Sequence, residues 1–165
     1  MAVKKAIAVI ASEDQTAVNI IYKLAAGDYR LLLISKDKSP FTRLISNLKK
    51  NHADAELVIR DCAKDGCWEA DIIILAIEAG EAKEVAERIW EVATQKIVVV
   101  VDVNEKNEEN IIADMKILLP YSKVTSSSNP STTLIERGDK KDLQQVLDFL
   151  NNESVDLQNN MNAIP

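Results

Sequence analysis

The sequence predicts a single doubly wound α/β domain, a mostly parallel sheet with helices on both faces and three layers in all. Two observations carry that expectation. Apolar runs without polar alternation recur along the chain, as strands buried on both faces require. Between them lie amphipathic helical periods, so that strand and helix alternate in units of about 25 to 30 residues, the pattern of right-handed parallel crossovers.

Each element can be justified in turn. Residues 6–11 form the first apolar run, and Ala17, Ile20, Ile21 and Leu24 follow at helical spacing with Gly27 at the expected stop. Residues 31–34 give a second strand, and Pro40 opens a helix with Phe41, Leu44, Ile45 and Leu48 on one face. A shorter strand is expected at 56–60, then longer β-branched runs at 71–77 and 96–101. The helix between these two runs carries Val85, Ala86, Ile89, Val92 and Ala93, and the next carries Ile111, Ile112, Met115, Leu118 and Leu119. Residues 123–127 supply a sixth strand and 133–137 a seventh, before a last helix with Leu143, Val146, Leu147 and Leu150 on one face. The domain is expected over residues 1–152, with 153–165 a polar tail that lies over the surface or on a partner.

Composition narrows the function classes. At 165 residues and 47% hydrophobic, the chain suits one domain with a sizeable core. Its net charge is −6 and it has no Lys/Arg cluster along an element, so the footprint of a nucleic-acid binder is missing. Two lysines followed by only six apolar residues are too few for a signal peptide or a membrane span, which places the expectation in the cytoplasm, away from membranes. Cys62 and Cys67 have no second Cys or His pair to complete a metal set and read as ordinary buried or loop thiols. His52, the only histidine, reads as a surface side chain at a helix end. No metal site and no catalytic residue are assigned. Trp68 and Trp90 read as core or edge-packing residues, Trp90 also as a rim or interface residue.

Doubly wound sheets bind ligands outside the carboxyl ends of their strands, where the strand order reverses. Here that points to residues 11–16, 35–38, 77–80 and 103–107. The first of these segments lies in "VIASEDQTAV", where a dinucleotide-binding unit would carry three glycines, and this stretch has none. Ser12 and Gln15 instead fit a capping box, with Glu13 and Asp14 in the first turn, where the helix dipole favours acids. Two readings stay open: phosphate binding has been lost, or it has been replaced by an unusual mode.

With these elements in place, the chain resembles the N-terminal dinucleotide-binding domain, a Rossmann fold, of the NADP reductases that use the deazaflavin coenzyme F-420. The stretches "AIAVIA", "YKLAAGDYRLLLISK", "WEADIIILAI", "QKIVVVVDV", "LLPYSKVTSSSNP" and "TLIERGDKKDLQQVLDFL" carry it, over roughly residues 5–150. Counting back from Leu24 and Ala25 aligns Ser12, Asp14 and Ala17 with that family's three glycines. Ala at the third position is a mild change, whereas Asp14 adds a side chain and a negative charge where the pyrophosphate would lie. The helical domain that follows in those enzymes has no counterpart in this sequence.

The resemblance implies an NADP-dependent oxidoreductase-like domain, and the degenerate fingerprint implies weak or lost cofactor binding. Its candidate contacts are Ser12, Gln15 and Thr16 at the first helix, Ser35, Lys36 and Lys38 in a turn suited to the 2′-phosphate of NADP, Ile77 after the fourth strand, and Ser127 and Asn129 at the sixth. A solvated surface turn is the alternative for Ser35 to Lys38. Glu78 reads either as a carboxylate facing the ligand or as a helix-start acid. The competing function is a non-catalytic protein that keeps the fold for assembly or for sensing another small molecule. A homodimer is expected, because the sheet edges and the rim near Trp90 lack an obvious cover.

Overall fold

The computed structural model describes residues 4–11, 14–25, 27–34, 39–52, 55–101, 108–126 and 140–150. Six strands alternate with helices: β1 (Lys5–Ala11), α1 (Asp14–Leu24), β2 (Tyr29–Ile34), α2 (Ser39–Asn51), β3 (Glu56–Arg60), α3 (Ala63–Glu69), β4 (Ile72–Ala76), α4 (Ala79–Ile89), β5 (Ile97–Val100), α5 (Glu108–Leu118), β6 (Lys123–Ser126) and α6 (Lys140–Leu150). The sheet order is β3-β2-β1-β4-β5-β6 and every pairing is parallel. This is the doubly wound order, with the reversal between β1 and β4. The expected seventh strand at 133–137 and the tail at 153–165 lie outside the described residues.

Side-chain alternation along the buried strands builds two cores. Ile7, Val9, Leu31, Leu33, Ile72, Ile74, Ile97 and Val99 pack with α1, α2 and α6. The intervening residues, Ala8, Ile10, Leu32, Ile73, Leu75, Val98 and Val100, pack with α3, α4 and α5. An uninterrupted apolar run thus serves two layers at once, which is why these strands show no polar period. Leu24, Leu44 and Ile89, each expected on an apolar helix face, are fully buried.

Three local differences have physical causes. Helix α3 has no counterpart in the sequence periodicity, because it is short and buries only Gly66 and Cys67. Its anchors lie outside the helix. Lys96 Nζ donates to the Cys67 and Trp68 carbonyls, and Glu69 accepts from Arg60 while pairing with Arg30 Nη1 at 3.1 Å. Gly66 lets the helix approach closely, since a Cβ there would meet Ile34 Cδ1. Secondly, α4 ends at Ile89 although apolar spacing continues to Ala93, because the chain turns so that Gln95 adopts φ 66°. Thirdly, Trp68 is not packed in the core or against an edge: it is 71% exposed, on the outer side of α3.

Candidate functional site

The reversal in strand order places the carboxyl ends of β1 and β4 side by side, with Ala11 opposite Ala76 in register. Both are small. A parallel sheet opens a crevice at this point because α1, after β1, lies on one face and α4, after β4, on the other. Helix α1 starts at Asp14, three residues beyond the end of β1, so its first-turn N–H groups, which the helix itself does not pair, lie at the mouth of the crevice. Ala17, in the first turns of α1, is buried in the core that this helix shares with the sheet.

The expected contacts fall on this edge unevenly. Gln15 and Thr16 lie in the first turn of α1. Ile77, directly after β4, is buried in the core beneath α4, so its route to a ligand is the main chain rather than the side chain. Ser12, Ser35, Lys36, Lys38, Ser127 and Asn129 lie outside the described residues, as does the capping of α1 by Ser12. Thr125 and Ser126, at the end of β6, are buried, which points the polar run into the sheet at its start. Glu78 is the N-cap of α4, exposed and extended at φ −78°, its carbonyl accepting from Glu81 N at 3.0 Å. That geometry matches the helix-start reading.

Sequence reasoning passed over Arg60. Its register partner Ile34 is the last residue of β2, so Arg60 stands at the carboxyl ends of β2 and β3. Its guanidinium is already committed, with Nε and Nη2 donating to Glu69 Oε1 at 3.2 and 2.9 Å. A two-donor Arg–carboxylate pair of this kind is a strong competitor for an incoming phosphate. Among the described residues no group of His, Cys, Asp and Glu could hold a metal ion, and no helix is long and apolar enough to cross a membrane. The thiols differ sharply: Cys62 is exposed, whereas burial pushes Cys67 up to about 12.

Neither a protein-family model nor a curated protein sequence matches the chain. Solved structures do match. An imine reductase from Myxococcus stipitatus, a variant in complex with NAD+, superposes with TM-score 0.63 at 12% identity, over 90% of this chain and 53% of that one. The imine reductase of the same organism in complex with NADP+ gives 0.58 at 11% identity, over 88% and 52%. Lactate dehydrogenase from Eimeria maxima, with NADH and oxamate, gives 0.59 at 8% identity, over 76% and 44%. The chain spans about half the length of these proteins, and at such identities the likeness is one of fold. The six-stranded parallel sheet, its strand order and these superpositions together make the domain a Rossmann-like α/β fold of the kind found in NAD(P)-dependent dehydrogenases and reductases.

Proposed function

We propose that this chain is an NADP-type, oxidoreductase-like domain of the deazaflavin-dependent reductase pattern in which the pyrophosphate subsite is weakened. The observation that carries the reading is the passage from β1 into α1. Crevice, helix N-terminus and small paired residues are all present, but Asp14 rather than glycine opens the helix. Ser12, Gln15 and Thr16 would meet the pyrophosphate, Ser35, Lys36 and Lys38 the 2′-phosphate, and Ile77, Ser127 and Asn129 the ribose and nicotinamide end. A bound nicotinamide cofactor would supply the hydride chemistry, and the chain's share is binding and orientation.

The size of the defect follows from charge. If the Asp14 carboxylate lay about 5 Å from one pyrophosphate charge at an effective dielectric of about 20, the repulsion would be roughly 3 kcal/mol, or about a hundredfold in affinity. Replacing Ser12 and Asp14 together by glycine is expected to tighten NADPH at least tenfold and to cost some tenths of a kcal/mol of helix stability through the lost cap. Isothermal titration of both proteins at fixed salt decides. Micromolar binding by the unmodified protein, unimproved in the glycine pair, refutes the reading and shows that the loop's side chains hold the nucleotide.

Asp14 also favours the second reading, a non-catalytic assembly or sensing protein on the same fold, because a helix that carries its own acid has least need of an external anion. No NADPH binding by either protein supports that alternative. We also propose a homodimer in the cytoplasm. Trp90, half exposed at the end of α4, and Ile117, exposed on α5, lie on adjoining helices and offer an apolar face to a second copy. A mass of 18.3 kDa by light scattering at high concentration, rather than twice that, would remove the dimer.

A further inference from the structure

The edge of the sheet remote from the switch point carries its own concavity. Because every strand is parallel, their first residues line up along this edge. Lys5 begins β1, Asp71 directly precedes β4, Lys96 directly precedes β5, and Lys123 begins β6, and these are four successive strands of the sheet. With Gln95 they line a cavity of about 210 Å³. Three lysines and one aspartate thus line it, in a chain whose net charge is −6.

Asp71, Gln95 and Lys96 are held in place by backbone partners. Asp71 Oδ2 accepts from Ala6 N at 2.9 Å while Asp71 N donates to Ala6 O at 2.8 Å, which ties the carboxylate to β1. Lys96 Nζ gives two N–H donors to the Cys67 and Trp68 carbonyls, and an ammonium has three. Burial lowers the pKa of Lys96, so a nearby anion would stabilise its charged form. Gln95 is the only positive-φ residue other than glycine among the described residues, at φ 66°, and is held there by its N–H to the Tyr121 carbonyl at 2.7 Å. A left-handed glutamine stores strain of the kind found where a chain presents a group to a ligand.

We propose that this amino-edge cavity binds a small oxyanion, a phosphate or carboxylate group received between Lys5, Lys96 and Lys123 with the Gln95 side-chain amide as a further donor. The volume sets the size class. It lies below the range of about 300–1,000 Å³ that holds drug-sized ligands, so the ligand is a compact anion or the anionic end of a larger molecule. Charge sets the sign, and the row of ammonium groups favours a doubly charged ligand over chloride. Exposure of Lys5 makes the site sensitive to ionic strength.

The test is an amide NMR titration of the full chain with inorganic phosphate and, separately, succinate, at an ionic strength held constant with sodium chloride. Shifts are expected to concentrate at Asp71, Gln95, Lys96, Ile97 and Lys123 and to saturate. Saturation by phosphate alone assigns a phosphoryl ligand, and saturation by both assigns carboxylates as well. The paired substitution Lys5→Gln and Lys123→Gln should weaken binding at least tenfold, while Lys5→Arg with Lys123→Arg retains it. Shifts no larger than those from chloride alone, or an affinity that both pairs leave unchanged, overturn the proposal.

Discussion

Cys67 offers a direct probe of how firmly α3 is seated. The thiol is fully buried beneath the helix and its pKa is pushed up to about 12, chiefly by desolvation, from an ordinary value of 9.0. At pH 8 the thiolate fraction is then about one in ten thousand, against about one in ten for an ordinary thiol, and only the thiolate attacks a disulfide. Ionisation alone lowers the reactive fraction of Cys67 about a thousandfold relative to an ordinary thiol, and its burial blocks access further, whereas Cys62 is exposed. A chromogenic aromatic disulfide should therefore modify one thiol per chain quickly in native protein and two in denaturant. If both thiols react within tenfold of each other under native conditions, α3 is not packed as described. The same shift has a pH signature. The unfolded chain gives up this proton first, so the stabilisation is whole below pH 9.0 and is lost as pH rises toward about 12, at up to roughly 1.4 kcal/mol per pH unit. Lys96, with its lowered pKa, acts in the opposite sense, so the quantity to follow by denaturant unfolding is the gap between wild type and Cys67→Ala, which should narrow as pH rises.

Other perturbations separate the remaining contacts. Lys96→Met removes the ammonium that holds the last α3 carbonyls and should accelerate Cys67 labelling about tenfold, with Cys62 labelling as the internal control. Glu69→Gln weakens the partly exposed links to Arg30 and Arg60 and should cost about 1 kcal/mol in denaturant unfolding at low salt and less at 1 M salt. Ile74→Ala, in the middle of β4 with no exposed surface, should cost about 2–5 kcal/mol with an unchanged denaturant slope, and a loss below about 1 kcal/mol would place β4 at an edge.

The strands were legible because burial on both faces leaves an unbroken apolar run, and β1, β4 and β5 fall within a residue of where those runs lie. The assignment of alternate residues to two helical layers was not, since Ile7 and Ala8 are equally apolar and only topology separates them. Helix α3 escaped because its stability comes from side chains outside it, Arg60 just before it and Arg30 and Lys96 distant in sequence, and not from an apolar stripe. The amino-edge cavity left a trace that could have been followed: a charged residue stands at the start of each of four apolar runs, Lys5, Asp71, Lys96 and Lys123, and parallel pairing gathers all four. At the carboxyl edge the sequence showed the missing glycines and the acid at position 14, and the fold adds the crevice that gives them meaning.

The Lys96 clasp also bears on the order in which the chain acquires structure during synthesis. Helix α3 ends in carbonyls satisfied by a side chain 28 and 29 residues further on. A nascent chain that has delivered β1 to β4 can pair four parallel strands, yet the end of α3 stays unclasped until β5 has left the ribosome and docked beside β4. Seven residues are too few to hold a helix without such help. Until that moment α3 is secured by the Glu69 pairs to Arg30 and Arg60 without the Lys96 clasp, so the interval between synthesis of β4 and of β5 is the period in which the otherwise inert Cys67 thiol is least protected.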